Sequence, residues 1–95
     1  MSVAVRISEV RFAPAKAELR ARGLRGWVCC LIDGRHRLDG IAVRRTDEGE
    51  YVLSYPARVD SRGRSHPFYL PDSPELREEI TAQILCALRS GGWIA

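Results

Sequence analysis

The stretch LRGWVCCLI at positions 24–32 places apolar side chains on both faces of an extended strand. Such a strand is typical of a central position in a sheet that is covered on both sides. Asp33 and Gly34 follow at once, and this dipeptide supplies the positive backbone angles of a tight hairpin. We therefore expect residues 35–45 to pair back antiparallel, with a helix covering one face of the strand and a second subunit the other.

The pattern after this hairpin predicts that the antiparallel sheet continues. Ile41 and Val43 alternate with Ala42 and Arg44, which is the two-residue period of a strand. Residues 46–49 form the next turn, and Tyr51, Leu53 and Tyr55 alternate in the strand after it. Pro56 cannot donate a ladder hydrogen bond, so it must lie at the end of that strand or on a sheet edge. Residues 57–64 are predicted to form a loop with Gly63 as its flexible point, and residues 66–70 a last short strand.

The first strand is predicted to contain a bulge or bend. Val3, Val5 and Ile7 alternate in one phase, whereas Val10 and Phe12 alternate in the opposite phase. A change of phase across residues 8–9 indicates an extra residue in the strand, which is common near a sheet edge. Residues 13–23 are rich in alanine, arginine and glutamate, which favours a helical turn, but Pro14 and Gly23 bound them closely. We interpret them as a connection, with strand pairing resuming near Leu19.

A C-terminal helix over about residues 73–90 is the best-marked element. Ser73 suits the N-cap and Pro74 the first helical position, while glutamates in the first turns favour the positive end of the helix dipole. Gly91 and Gly92 indicate its end. One apolar stripe runs along it, formed by Leu76, Ile80, Ile84, Leu85 and Leu88. The prediction is an α+β fold, in which an antiparallel meander of about five strands within residues 3–70 carries one amphipathic helix.

The length of 95 residues predicts a single domain, spanning residues 1–95, with a small core. A core of this size gives marginal stability, so we expect a homodimer. The formal net charge is +3, and every basic residue except Lys16 is an arginine. Arginine suits phosphate recognition, although genome composition produces the same bias.

Several classes of function are disfavoured by what the sequence lacks. It contains no apolar run of about 20 residues and no signal-peptide pattern near its start, so we expect a cytoplasmic protein without a membrane span. The three cysteines, Cys29, Cys30 and Cys86, are an odd number without a CxxC pair, and His36 and His66 are the only imidazoles. We therefore expect no disulfide framework, metal, cofactor or small-molecule substrate.

The stretch LDGIAVRRTDEGEYVLSYPARVDSRGRSHP, residues 38–67, resembles the core of the SpoVG family of stage V sporulation protein G and septation regulators. The resemblance lies in the order of a β-branched strand, a turn, a corner, an arginine, a glycine and His-Pro. The matching positions are Asp39, Ile41, Val43, Gly49, Pro56, Arg58, Gly63, His66 and Pro67. The opening ISEVRF is also similar to the short first strand of that family, and a terminal helix follows in both.

This resemblance implies a small α+β domain that dimerises through its sheet and binds DNA, with RNA attributed to some members. The chain departs from the family in its longer, arginine-rich first connection. It also has Tyr55, Pro56 and Ala57 where the family usually has Met-Pro-Ser. These differences leave open whether the regulatory role or only the fold is shared.

Five arginines are the candidate nucleic-acid contacts: Arg44, Arg45, Arg58, Arg62 and Arg64. If the strands around the 46–50 turn pair, the first two lie at one end of that hairpin and the others leave from its opposite end. One chain would thus present two separated basic surfaces, and a symmetric dimer would double them. The alternative is that these arginines are simply solvated.

Two other classes of function are weighed against nucleic-acid binding. A hydrolase would use residues close in sequence, namely Ser54, Asp60, Ser61, Ser65 and His66. Nothing here resembles a nucleophile elbow, so we expect no enzyme. A protein-interaction module would instead use strand 24–32 and an open sheet edge to recruit a partner.

Overall fold

The computed structural model describes residues 4–95 as a four-stranded antiparallel sheet, a separate two-stranded hairpin and a long helix against the sheet. The large sheet has the order β1 (Ile7–Pro14), β2 (Leu24–Ile32), β3 (His36–Arg45), β4 (Tyr51–Ser54). The remaining elements are α1 (Ala17–Ala21), β5 (Ala57–Val59), β6 (Ser65–Pro67) and α2 (Pro74–Ser90). The predicted α+β class and meander order are confirmed. Val3, in the predicted first strand, lies outside the described residues.

Strand β1 lies at the sheet edge and contains the predicted irregularity. Ser8 pairs with Leu31, but Arg11 pairs with Cys29, so β1 has one residue more than β2 over this interval. Glu9 takes a φ of 48°, a left-handed conformation that is uncommon for a residue with a side chain. The change of apolar phase across residues 8–9 is therefore a β-bulge.

The connection between β1 and β2 is helical in its middle, and the prediction that strand pairing resumes near Leu19 was wrong. Residues 17–21, AELRA, form the five-residue helix α1. Alanine, glutamate, leucine and arginine are all strong helix formers, and this local preference decides the conformation where no strand partner is available. The helix ends where Arg22 donates its backbone N–H to the Leu19 carbonyl and Gly23 takes a φ of 96°.

The predicted hairpin between β2 and β3 is confirmed in detail. Asp33 and Gly34 have φ values of 53° and 69°, and Arg35 donates its N–H to the Ile32 carbonyl at 3.1 Å. Two successive left-handed residues define a type I′ turn, whose twist matches that of the strands it joins. This turn sets the register in which Ile32 pairs with His36 and Cys30 with Leu38.

Helix α2 covers one face of the sheet and forms the core with it. Ser73 caps the helix by accepting the Leu76 N–H at 3.1 Å. The fully buried residues alternate along β2 and β3 and recur along α2: Val28, Cys30, Ile41, Val43, Ile80, Ile84 and Leu88. Gln83 ties α2 to the start of the chain, because its amide accepts from the Ile7 N–H at 2.7 Å and donates to the Val5 carbonyl at 2.8 Å.

The predicted glycine stop after α2 is confirmed and brings the C-terminus back onto the core. Gly92 has a φ of 77°, and the Trp93 N–H donates to the Leu88 carbonyl at 2.9 Å. This is the Schellman arrangement that ends many helices. It buries Ile94 in the core and places the Trp93 ring 5.3 Å from the Phe12 ring. Among residues 4–95 no helix is long and apolar enough to cross a membrane.

Beyond Pro56 the chain leaves the large sheet, and two details of the prediction change. Arg58 lies in strand β5 and not in a loop, and the last strand is Ser65–Pro67 instead of residues 66–70. Pro56 has no N–H for the ladder, so β5 pairs with β6 and not with β3. We refer to the hairpin formed by residues 57–67 as the arm.

Candidate nucleic-acid interface

The hairpin between β3 and β4 places Arg44 and Arg45 at its turn, as predicted. Arg44 pairs with Val52 and Arg45 with Tyr51. The Arg45 guanidinium carbon lies 5.9 Å from the centre of the Tyr51 ring, within the range of a cation–π contact. This contact directs the Arg45 head group over the neighbouring turn.

Gly23 connects the end of α1 to the end of β3. Its carbonyl accepts the Arg45 N–H at 2.7 Å, and its own N–H donates to the Arg20 carbonyl at 3.0 Å. A Cβ atom at Gly23 would lie 2.8 Å from the Arg45 carbonyl oxygen, closer than a side chain tolerates. The absence of a side chain at Gly23 therefore lets the two backbones approach and brings α1 beside the 46–49 turn.

A polar cleft of about 430 Å³ lies between these elements. We call it the arginine cleft, and it is lined by Arg20, Ala21, Arg22, Gly23, Arg25, Arg45, Thr46, Asp47 and Gly49. Four arginines therefore border this cleft against a single carboxylate, that of Asp47. Arg20, Arg22 and Arg45 are exposed and Arg25 is half-buried.

A second bulge occurs in β2 at Arg25. Leu24 pairs with Arg44, but Gly26 pairs with Val43, so two steps on β2 match one step on β3. A bulge changes the direction in which a side chain leaves the sheet, and bulges are frequent next to functional sites. Here the bulged residue is one of the four arginines of the cleft.

Arg44 lies apart from the cleft, on the sheet face that α2 does not cover. We call this surface the open face. Its side chains alternate with the buried ones, and Trp27 and Val52 on it are 38% and 41% exposed. The prediction that strand 24–32 is covered on both sides is thus met on one face only within a single chain.

The tip of the arm is organised around the Asp60 carboxylate. One of its oxygens accepts the backbone N–H groups of Arg62 and Arg64 at 2.8 and 2.9 Å. The other oxygen lies 2.8 Å from His66 Nε2. Because Asp60 is occupied by backbone and imidazole donors, the guanidinium groups of Arg62 and Arg64 remain available to solvent.

These contacts set the acidity of Asp60. The hydrogen bond from His66, followed by the backbone N–H of Arg64 and that of Arg62, holds the pKa of this carboxyl below its usual value. All of these donors favour the ionised form. Asp60 therefore stays charged through the neutral and mildly acidic range and keeps the tip folded there.

Two tyrosines join the base of the arm to the rest of the domain. The rings of Tyr55 and Tyr69 are 5.4 Å apart, and both residues are half-buried. The Tyr55 hydroxyl lies near Thr81 of α2, but makes no hydrogen bond of good geometry within residues 4–95. Burial is the main cause that raises the pKa of this hydroxyl.

The five predicted arginines do not form one cluster. Arg45 joins the arginine cleft, Arg44 lies on the open face, and Arg58, Arg62 and Arg64 lie on the arm. Ala57 lies six positions beyond Tyr51, and a fully extended chain spans at most roughly 20 Å over that interval. Arg44 and Arg45 thus lie at one end of the β3–β4 hairpin but on opposite faces of the sheet, and the arm arginines leave from its other end.

Of the residues that a hydrolase would use, the structure brings together a carboxylate and an imidazole, and both lie on the surface. Asp60 and His66 meet on the exposed tip of the arm, where the His66 side chain is 45% exposed. Neither the arginine cleft nor the cleft at Pro71–Pro74 is lined by either residue. Within residues 4–95 no group of three or more His, Cys, Asp or Glu side chains could hold a metal ion.

Comparison with known proteins gives no relative: no protein-family model, no curated protein and no solved structure matches this chain. The geometry of its own residues is therefore the basis for any functional argument.

Three arginines of the cleft, Arg20, Arg22 and Arg25, were not among the predicted site residues. The sequence did carry a signal for them, since three arginines occur within six positions, RARGLR, around a glycine. This signal lies partly within residues 13–23, which were predicted to be only a connection. Their proximity to Arg45 depends on the Gly23 contact, which links positions far apart in sequence.

Proposed function

We propose that the protein is a small, homodimeric, SpoVG-like nucleic-acid-binding regulator that contacts the phosphates of DNA or RNA through exposed arginines. One observation carries this proposal. Within residues 4–95, none of the arginines of the cleft or the arm, nor Arg44, forms an ion pair with a carboxylate. Surface arginines without acidic partners are free to bind phosphate oxygens, often with two hydrogen bonds each.

The distribution of the arginines supports contact with an extended polyanion. The arginine cleft and the arm lie at opposite ends of the β3–β4 hairpin, up to roughly 20 Å apart, and a second copy would supply two more such surfaces. Spaced phosphate contacts of this kind position a protein on nucleic acid without reading its sequence. Helix α2 is poorly suited to reading bases, because Glu75, Glu78 and Glu79 oppose the two arginines Arg77 and Arg89.

The open face supports the homodimer in this proposal. Trp27 on the inner strand β2 and Val52 on the edge strand β4 expose apolar surface, which a second copy could cover. A link to sporulation, septation or gene regulation rests on the resemblance to SpoVG alone, and a cytoplasmic location rests on the sequence pattern alone.

The test is fluorescence anisotropy of the purified protein with random duplex DNA, single-stranded DNA and RNA at two salt concentrations. We expect binding that weakens steeply with salt, because each phosphate contact releases counterions. Replacing Arg58, Arg62 and Arg64 by alanine should weaken binding to all sequences equally. The matched control replaces Arg6, Arg35 and Arg89, three exposed arginines outside both surfaces, and removes the same charge.

If the arm variant keeps its fold, as verified by circular dichroism, and binds nucleic acid with unchanged affinity, the arm has no role in binding. Equal weakening by the control would show that only net charge matters. Absence of binding to all three probes at low salt would reject the proposed function.

A protein-interaction module is the second candidate, and a specific observation favours it. Three large apolar side chains on and beside the arm are strongly exposed: Val59 at 69%, Phe68 at 71% and Leu70 at 58%. Large apolar side chains exposed to this degree are available to contact a partner protein. This candidate predicts no nucleic-acid binding at low salt, and that result of the anisotropy assay would favour it.

A further inference from the structure

We propose that the arginine cleft is a binding site for a terminal phosphate, that is, a phosphomonoester at the end of a nucleic-acid strand or on a free nucleotide. This deepens the proposed function, on which it rests for the choice of phosphate as the ligand, and assigns the cleft a role that the arm does not have.

The charge of the cleft favours a dianion. Four arginines border it against the one carboxylate of Asp47, a formal excess of three positive charges. Like charges held close together repel, and an anion placed among them relieves that repulsion. A phosphomonoester carries about −1.5 to −2 charges at neutral pH, whereas an internal phosphodiester carries about one. The cleft should therefore bind the terminal phosphate of a nucleic-acid strand more tightly than an internal phosphate.

The four arginines of the cleft come from three different elements, which suits a ligand with several acceptor oxygens. Arg20 and Arg22 come from the end of α1, Arg25 from the bulge in β2, and Arg45 from the end of β3. A monoester offers three terminal oxygens to donors arriving from several sides, while a phosphodiester offers two. Arginine forms paired hydrogen bonds with such oxygens.

The cleft is held open by the backbone before any ligand arrives. The 2.7 Å hydrogen bond from Arg45 to Gly23 fixes α1 against β3, and the Arg45 side chain rests on the Tyr51 ring. Prearranged donors lose less conformational entropy when a ligand binds. The volume of about 430 Å³ falls within the usual range for small-ligand sites, so the sugar attached to the phosphate also has room.

The test compares two single-stranded oligonucleotides of one sequence, labelled at the 3′ end, of which one has a 5′-phosphate and the other a 5′-hydroxyl. We expect the protein to bind the phosphorylated strand about tenfold more tightly, as one additional charge-assisted hydrogen bond would give. The Arg20→Ala/Arg22→Ala variant should lose this preference but keep the shared backbone binding. Both residues are exposed, and alanine is a good helix former, so the fold should be retained.

The matched control is Arg6→Ala/Arg35→Ala, which removes two exposed arginines near the 33–34 turn, at the other end of β2. It should keep the tenfold preference. Equal affinity of wild-type protein for both oligonucleotides would overturn the inference while leaving the proposed function standing. A preference that survives in the Arg20→Ala/Arg22→Ala variant would overturn the assignment to the cleft.

A nucleoside monophosphate and inorganic phosphate, used as competitors, identify the source of the phosphate. If the nucleoside monophosphate competes as strongly as the phosphorylated strand does, the ligand is a free nucleotide. If it competes far more weakly, the ligand is a strand end. Binding of the mononucleotide by wild-type protein but not by the cleft variant, with no binding of any oligonucleotide, would support the inference and reject the proposed function.

Discussion

The backbone N–H of Arg45 donates a 2.7 Å hydrogen bond to the carbonyl of Gly23, joining two segments that lie 22 positions apart in sequence. This contact brings the arginines of the first connection next to the arginine at the end of β3. The arginine cleft therefore depends on one residue without a side chain.

Replacing Gly23 by alanine should destabilise the fold more than the same change at Gly63. Both glycines have positive φ values, 96° and 79°, so both variants incur the backbone cost of roughly 1–2 kcal/mol. Only at Gly23 would the new Cβ meet another group, the Arg45 carbonyl oxygen at 2.8 Å, whereas at Gly63 nothing lies within 4 Å. We expect a further loss of roughly 1–3 kcal/mol for Gly23→Ala, as for other overpacked sites.

The measurement is the free energy of unfolding in urea for both variants and the wild-type protein. Equal losses for Gly23→Ala and Gly63→Ala would contradict the close approach of Gly23 to Arg45. The Gly63 variant serves as the control because it shares the backbone strain without the contact.

The tip of the arm should lose its structure only in strong acid. Hydrogen bonds from His66 and from the Arg64 and Arg62 N–H groups lower the pKa of Asp60 in the folded state. A lowered folded pKa means that the stabilisation is complete above the unfolded value, about 3.9 for aspartate, and is lost as the pH falls through the lower folded value. The amide NMR signals of Arg62 and Arg64 should therefore shift with a midpoint below the usual aspartate pKa.

An Asp60→Asn variant provides the comparison for this titration. Its side-chain oxygen can still accept both backbone N–H groups, but it has no carboxyl group to protonate. The amide signals of Arg62 and Arg64 should lose the acid transition in this variant. A wild-type midpoint at or above the usual aspartate value would show that the hydrogen bonds to Asp60 do not hold in solution.

Much of the fold was predictable because local signals agreed with one another. Asp33 and Gly34 form the predicted turn, and Ser73 caps the predicted helix. Residues 13–23 indicated at most a helical turn, and the helix α1 was not predicted, since an isolated five-residue segment carries too weak a preference to identify from its neighbours. The separation of the arm was also missed, although Pro56 marked the point where the large sheet ends.

The candidate site was less predictable than the fold. Arg45 was identified from its position beside a hairpin turn, and its neighbours Arg20 and Arg22 were not. A charged side chain on a connection has no periodicity to indicate which surface it joins. Here that surface is fixed by the Gly23 contact with Arg45, which is long-range in sequence and is visible only in the folded chain.

The two basic surfaces should act additively on DNA binding. Arg45→Ala and the triple arm variant change groups that lie up to roughly 20 Å apart, and distant sites without shared partners usually show additive effects. Each arginine that contacts a phosphate should lower the log–log salt slope by about 0.9. Anisotropy titrations at several salt concentrations measure both quantities. A combined variant no weaker than the triple arm variant would mean that DNA contacts the arm alone.

The open face should carry the contact between two copies of the chain. Trp27 lies in the centre of this face at 38% exposure, and Val52 is exposed on β4 at the same surface. A Trp27→Glu variant would bury an unpaired charge in such an interface, which costs far more than it does on a solvated surface. Sedimentation velocity should therefore show the wild-type protein at the mass of two chains and Trp27→Glu at the mass of one. Val59→Glu is the control, because Val59 is 69% exposed on the arm. Dissociation by Val59→Glu and not by Trp27→Glu would place the interface on the arm instead.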